Sequence, residues 1–170
     1  DRLEGYRRGN PPIERTNRLW QLHGAGIENL GDDDGPVTRS LPPLPAEALL
    51  VRHDACGLCF SDTKVIRLGQ EHPRIYKDMR THPVVLGHEV TVTVVEVGSN
   101  LAGQYRPGDR FIIQADIWKD GINRSYGYDL EGGLSEYAII DQTILAGDDG
   151  HYLIPVRPEP GCAASPLTEP

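Results

Sequence analysis

One run of eight residues constrains the fold more than any other part of the chain. It is Val90 to Val97, which reads VTVTVVEV, and every residue in it except Glu96 is β-branched. Such side chains lose rotamer freedom in a helix and pack well on a pleated surface. The run therefore predicts a β-strand, which ends at Gly98.

Shorter segments with the same character surround this run. We predict one or two strands within Asn17 to Leu30, a strand from about Leu49, and further strands at Phe111 to Gln114, Leu134 to Ile140 and 152–156. The 19 Gly and 14 Pro residues, roughly a fifth of the chain, favour many turns over a helical bundle. A mainly β barrel or sandwich with few helices follows.

Two short helices are expected beside these strands. Ser61, followed by Asp62, is predicted to cap one helix, and Gly161 to begin another. The polar segment 1–16, broken by Pro11-Pro12, is expected to be a flexible N-terminal arm, and residues 17–170 to form one domain. Leu41 to Pro45 contains a P-x-x-P pattern, which we interpret as a rigid connector rather than an SH3 ligand.

Charge and cysteine content exclude several classes of protein. The net charge of −8 argues against nucleic-acid binding, which depends on clustered Lys and Arg. The sequence has no apolar run of membrane-spanning length and no signal-peptide pattern, so we expect a cytoplasmic protein without a membrane partner. An odd number of cysteines, Cys56, Cys59 and Cys162, fits a reducing compartment and metal or thiol chemistry.

Two short motifs bring together residues that bind metals. Cys56 to Asp62 contains two thiols, a hydroxyl and a carboxylate, and Gly87-His88-Glu89 adds an imidazole and a second carboxylate. Zinc prefers Cys and His ligands with carboxylate as a third type, and catalytic zinc sites keep one position open. Taken singly, a cysteine or a histidine is more often structural, and C-x-x-C is also a redox pattern.

Within these motifs we predict a role for each polar side chain. Cys59 and His88 are the candidate zinc ligands, and Glu89 either joins them or orients a ligand, as Asp62 does. The hydroxyl of Ser61 lies two residues beyond Cys59, where it can pass a proton between the substrate oxygen and solvent.

The order of these and other motifs resembles the N-terminal, GroES-like catalytic domain of medium-chain, zinc-dependent alcohol and polyol dehydrogenases. The resemblance covers roughly residues 17 to 170. Its matching segments are 51–62, Gly87-His88-Glu89, Val95-Glu96-Val97-Gly98, Pro107-Gly108-Asp109-Arg110, 132–137, Ala163-Ala164 and Glu169-Pro170.

The resemblance implies a GroES-like, partly open β-barrel and a specific ligand set. Cys59 and His88 would bind the catalytic zinc, and Glu169 would approach the metal, sometimes exchanging with Glu89. Ser61 would transfer the substrate proton, and Cys56 would not be a ligand. Lys64 stands where many relatives have a histidine of the outer proton relay, which leaves that relay in question.

Cofactors and substrates also follow from the resemblance. The parent protein would oxidise a secondary alcohol, polyol or sugar phosphate reversibly, with NAD or NADP held by a Rossmann domain of the same full-length chain. These 170 residues contain no G-x-G-x-x-G fingerprint, so the isolated segment is expected to be inactive. Segment 116–133 lacks cysteine, which predicts no structural zinc. The same segment also resembles that of sorbose-phosphate reductase-like members of the family.

The parent protein could form a homo-oligomer. Two alternatives to the dehydrogenase interpretation remain. One alternative is a stand-alone GroES-like module that binds or assembles without catalysis. The other is a zinc-free relative such as a quinone reductase, which the combination of Cys59, His88 and Glu89 disfavours.

Overall fold

The computed structural model describes residues 15–33 and 35–156. Eleven strands are present in these ranges: β1 Thr16–Leu19, β2 Gln21–Leu22, β3 Val37–Ser40, β4 Leu49–Gly57, β5 Val84–Val85, β6 Glu89–Val97, β7 Arg110–Ile113, β8 Asp116–Lys119, β9 Ile122–Ser125, β10 Tyr137–Ile140 and β11 Leu153–Pro155. The α-helices are α1 Phe60–Leu68 and α2 Gln142–Leu145, and short 3-10 helices occur at Ile27–Asn29, Gly69–Glu71 and Ser99–Leu101.

The main sheet has five strands in the order β10-β4-β6-β7-β11, all antiparallel. Its third strand, β6, is the β-branched run from Val90 to Val97, extended by one residue to Glu89. Most of its residues are buried, as a strand paired on both sides and covered on both faces requires. The prediction of a mainly β fold with few helices is confirmed.

Strand β4 is irregular where it pairs with β6. The register shifts between Leu50 and Val51 and again between His53 and Ala55. Such bulges bend a strand and re-aim its side chains. Here they accompany a buried ion pair between Arg52 and Asp54, with Nη2 and Oδ1 2.7 Å apart.

Two apolar clusters hold the site region against the sheet. The larger lies against the main sheet and includes Val90, Ile113 and Tyr126. A second cluster, with Leu22, Val65, Ile75, Met79, Val84 and Leu86, packs α1 and the segment after it against β2 and β5. Because α1 is fixed by Val65 and the sheet by Val90, the motifs at their ends are positioned by the core.

Helix α1 differs from the prediction at its first turn. Ser61 is not the cap: the helix begins at Phe60, and Cys59 occupies the N-cap position with extended backbone. The Asp62 carboxylate accepts a hydrogen bond from the Cys59 backbone N–H through Oδ2, at 2.9 Å. A carboxylate three residues into a helix satisfies a free N–H in this way, and this moves the cap two residues earlier.

Other elements depart from the sequence interpretation. The cysteine-free segment 116–133 contains the hairpin β8–β9, which we did not predict, and the four-residue helix α2 was also missed. Strand β10 begins at Tyr137 rather than Leu134. The connector Leu41 to Pro45 leads from β3 to β4, and Leu41 and Leu44 pack against a third apolar cluster that includes Tyr137.

Several expectations fall outside the described residues. They concern most of the N-terminal arm, the helix expected to begin at Gly161, the thiol of Cys162, and the role of Glu169 as a metal ligand. Among the described residues, no helix has both the length and the apolar character needed to cross a bilayer.

Candidate metal centre

Chain connections at one end of the main sheet bring the two motifs together. Strand β4 ends at Gly57, two residues before Cys59, and β6 begins at Glu89, directly after His88. In the β4–β6 register Gly57 lies opposite Glu89. Antiparallel pairing therefore puts the end of one motif beside the start of the other.

Three side chains converge at this end of the sheet. Cys59, His88 and Glu89 are each partly buried, and one donor atom of each lies within 4.8 Å of the other two. In the described ranges this is the one group of three or more such side chains found. Sulfur, imidazole nitrogen and carboxylate oxygen are zinc's usual ligands, at about 2.0 to 2.3 Å, so small side-chain rotations let one ion reach all three.

The absence of a side chain at Gly57 makes room for the carboxylate. A Cβ at this position would lie 2.3 Å from Oε2 of Glu89 and 3.1 Å from its Cβ. Only glycine leaves that volume empty. The local structure thus fits a metal whose third ligand is Glu89, a fit that depends on a residue the sequence interpretation did not single out.

Ser61 lies between the thiol and the imidazole. Its Oγ is 3.3 Å from Nε2 of His88. Hydrogen bonds from the side chain and backbone of Ser61, and then from His88, lower the pKa of the Cys59 thiol. A lowered pKa favours the thiolate, which is the form that ligates a metal.

Asp62 lies behind His88. Oδ1 of Asp62 is 3.4 Å from Nδ1 of His88, and it also accepts a hydrogen bond from the Gly87 backbone N–H at 3.3 Å. The contact with the Asp62 carboxylate is the main cause that raises the pKa of His88 to about 9. A carboxylate on Nδ1 fixes the imidazole orientation and leaves Nε2 facing Ser61, as in carboxylate–histidine–zinc arrangements.

Tyr128 was missed as a site residue. Its ring makes an edge contact with His88, with centroids 5.9 Å apart. Burial raises the pKa of its phenol, and the nearby Ser61 side chain opposes this shift. The sequence signal was the Tyr126-Gly127-Tyr128 motif, which the prediction used only to suggest a subfamily.

Glycines allow the Tyr128 segment to approach the His88 motif. Gly87 has a φ of 95°, and a Cβ on Gly132 would lie 2.4 to 2.5 Å from the carbonyl oxygens of Leu86 and Gly87. No larger residue permits that approach of two backbones.

Cys56 lies outside the donor group. Burial, and then the negative charges of Asp62 and Glu89, raise the pKa of its thiol to about 12. Such a thiol stays protonated at neutral pH and is a poor nucleophile. This argues against the C-x-x-C redox interpretation.

The fold and the geometry of this centre agree with a known family. Residues 45–147 match the alcohol dehydrogenase GroES-like domain family. The chain belongs to that family.

Comparisons with individual proteins give more detail. The chain is 35% identical over 109 residues to mannitol-1-phosphate 5-dehydrogenase of Aliivibrio fischeri, covering 64% of this chain and 26% of that protein. It is 28% identical over 113 residues to L-sorbose 1-phosphate reductase of Klebsiella pneumoniae, covering 65% and 28%. The chain thus spans about a quarter of the length of these relatives.

Solved structures support the same fold. A proposed zinc-binding dehydrogenase from Sinorhizobium meliloti 1021, bound to NADP, superposes with a TM-score of 0.63 over 85% of this chain and 40% of that one. The sequence identity is 22%, so this likeness concerns the fold.

Proposed function

We propose that the chain is the catalytic domain of a zinc-dependent NAD(P) oxidoreductase. It would interconvert a secondary alcohol or polyol, free or phosphorylated, with the matching carbonyl compound. The observation that carries this proposal is the convergence of Cys59, His88 and Glu89 beside the Ser61 hydroxyl. The names of two relatives specify a 1-phosphate, which supports a polyol or sugar phosphate as substrate.

Each residue of the candidate centre would have a separate role in the reaction. Cys59, His88 and Glu89 would hold zinc, which when bound supplies a Lewis acid that polarises the substrate oxygen. Ser61 would accept the hydroxyl proton and pass it towards solvent, since its Oγ lies beside the donor group. The hydride from the carbinol carbon would go to a nicotinamide held by another part of the full-length protein.

Two exposed apolar side chains support a covering domain. Leu58 is 74% exposed and Phe60 is 71% exposed, and they flank Cys59 on both sides. Apolar residues exposed beside a polar site mark a surface that a ligand or another domain covers. We propose that the nicotinamide-binding domain of the same polypeptide covers this surface. From the cysteine content we also propose that the protein is cytoplasmic.

Metal analysis tests the proposal. Full-length protein purified in the presence of zinc is expected to contain a zinc ion that Cys59→Ala removes, lowering the content by about one ion per chain. Cys56→Ala is the matched control, since it deletes a neighbouring thiol outside the donor group. A zinc content that is unchanged in Cys59→Ala contradicts the ligand assignment.

A further inference from the structure

The charge distribution of the chain is uneven around the candidate site. Residues 64–82 contain five Lys or Arg and two Asp or Glu, whereas the whole chain carries a net charge of −8. This segment covers the end of α1 and the loop that leads to β5. Clustered basic side chains attract anions and raise their local concentration.

Tyr128 connects this basic segment to the metal centre. One edge contact of its ring is with His88, at 5.9 Å between centroids, and another is with His72, at 5.7 Å. The guanidinium carbon of Arg74 lies 5.9 Å from the centre of the same ring. His72 and Arg74 therefore lie one aromatic ring away from a candidate zinc ligand.

Arg74 is held in place before any ligand binds. Its Nη2 donates to Oδ1 of Asn123 at 2.5 Å, and both terminal nitrogens lie 3.2 Å from Oδ1 of Asp116. The Asp116 side chain is 61% exposed, so solvent screens its charge. A guanidinium anchored in this way binds a phosphate with little loss of side-chain freedom.

His72 and Lys64 complete the set of donors. The Arg74 backbone N–H lies 3.3 Å from Nδ1 of His72, so Nδ1 accepts and the neutral ring carries its proton on Nε2. Burial is the main cause that lowers the pKa of His72, and the charges of Arg74 and Lys64 add to it. Lys64 Nζ lies 5.2 Å from the Phe60 ring centre and forms no ion pair with a described residue.

The distances allow a particular kind of substrate. The two contacts across Tyr128 put Arg74 no more than about 12 Å from the His88 ring. An extended chain of about six bonds spans roughly 7 Å, at about 1.2 Å per bond. One hydrogen bond of about 3 Å at the phosphate covers most of the remainder.

We propose that Lys64, His72 and Arg74 form a subsite for the terminal phosphate of an open-chain polyol phosphate. The reacting carbon would lie at the Cys59, His88 and Glu89 group, with Tyr128 between the two ends of the substrate. This inference rests on the proposed function and deepens it, because it assigns the part of the site that selects a phosphorylated substrate.

The test compares a hexitol with its terminal phosphate in the full-length enzyme. Lys64→Gln is expected to raise KM for the phosphorylated substrate about tenfold or more, with kcat little changed, and to leave the unphosphorylated substrate unaffected. Arg74→Lys, which keeps the charge and loses the paired donors, should show a smaller effect in the same direction. Arg80→Gln is the control, because Arg80 pairs with Asp78 in the same segment and is 83% exposed.

A binding experiment separates this inference from the proposed function. Inorganic phosphate titrated into the full-length protein and followed by calorimetry should bind wild type and Arg80→Gln alike, and Lys64→Gln at least tenfold more weakly. Phosphate binding with this dependence, but no turnover of either alcohol, would support the subsite and overturn the enzyme assignment. Turnover of both alcohols with equal kcat/KM, and no effect of Lys64→Gln on phosphate binding, would overturn the subsite and leave the enzyme assignment standing.

Discussion

At the scale of single residues, Asp62 makes three contacts that organise the candidate site. It accepts hydrogen bonds from the Cys59 and Gly87 backbones and lies 3.4 Å from Nδ1 of His88. It is 2% exposed. One buried carboxylate thus positions the backbone of Cys59, the backbone of Gly87 just before His88, and the imidazole itself.

Asp62→Asn tests this positioning role. Asparagine keeps the size of the side chain and one acceptor oxygen but removes the negative charge beside Nδ1, so we expect zinc affinity to fall about 10- to 100-fold. Competition with a chromophoric chelator measures that affinity. Asp141→Asn, at the N-cap of α2, should leave it unchanged, and equal effects of the two changes would contradict the role.

His53 is the buried titratable group that the proposed chemistry does not use. Its Nδ1 lies 2.9 Å from the carbonyl oxygen of Ser135, so Nδ1 carries the proton and Nε2 accepts from the Tyr126 hydroxyl at 2.7 Å. Burial, opposed by the bond to Ser135, lowers the pKa of His53 from 6.5 to about 4. The ring is therefore held neutral by its surroundings.

The stability of the fold should decrease in acid partly through His53. The unfolded chain takes up a proton near pH 6.5 and the folded chain only near pH 4, so stability is complete above pH 6.5 and falls towards pH 4. The expected loss is about 3 kcal/mol. Urea unfolding at several pH values should show a shallower decline for His53→Gln than for wild type, whereas the exposed His82→Gln should follow wild type. Identical slopes in all three proteins would rule out this contribution.

At the scale of elements, the site depends on how closely β4, β6 and the Tyr128 segment approach one another. Gly57 and Gly133 both lie at these approaches. At Gly57 an added Cβ would meet the mobile end of the Glu89 side chain, whereas at Gly133 it would lie 2.3 Å from Cγ1 of Val90 and 2.8 Å from Sγ of Cys56. The first contact affects the candidate ligand, and the second affects the core.

The two alanine substitutions should therefore separate function from stability. We expect Gly57→Ala to weaken zinc binding about tenfold while changing the free energy of unfolding little, because the carboxylate can rotate away. Gly133→Ala should cost about 1 to 3 kcal/mol by overpacking. Chelator competition and urea unfolding measure the two quantities, and a Gly57→Ala protein as destabilised as Gly133→Ala would contradict this division.

At the scale of the whole molecule, the described residues supply a candidate metal site without a nucleotide site. All strand pairs of the named sheets are antiparallel, and the sequence contains no G-x-G-x-x-G fingerprint. Dinucleotides bind at a glycine-rich turn in a parallel βαβ unit. The chain alone, loaded with zinc, should therefore not quench the fluorescence of NADH at millimolar concentration, and it should not oxidise an alcohol. A measurable turnover would contradict this expectation.

The sequence was sufficient for the fold class because its strongest signals are local. The β-branched run at Val90 predicted β6 within one residue of its start, and the glycine and proline content predicted an open, turn-rich β fold. The motif order also pointed to the family before any contact was known. Short elements such as α2 and the hairpin β8–β9 were missed, since two- to four-residue periodic signals do not exceed the background of loops.

What the sequence determined by itself is the candidate donor group, Cys59, His88 and Glu89, and the two strands, β4 and β6, that lie next to it. Only the tertiary structure decided that Cys59 caps α1, that Gly57 makes room for Glu89, and that Tyr128 lies between His88 and Arg74. The last two of these contacts join residues far apart in the chain, so they depend on strand register and backbone approach. The order of residues in the sequence does not by itself fix the strand register or the distance between the backbones.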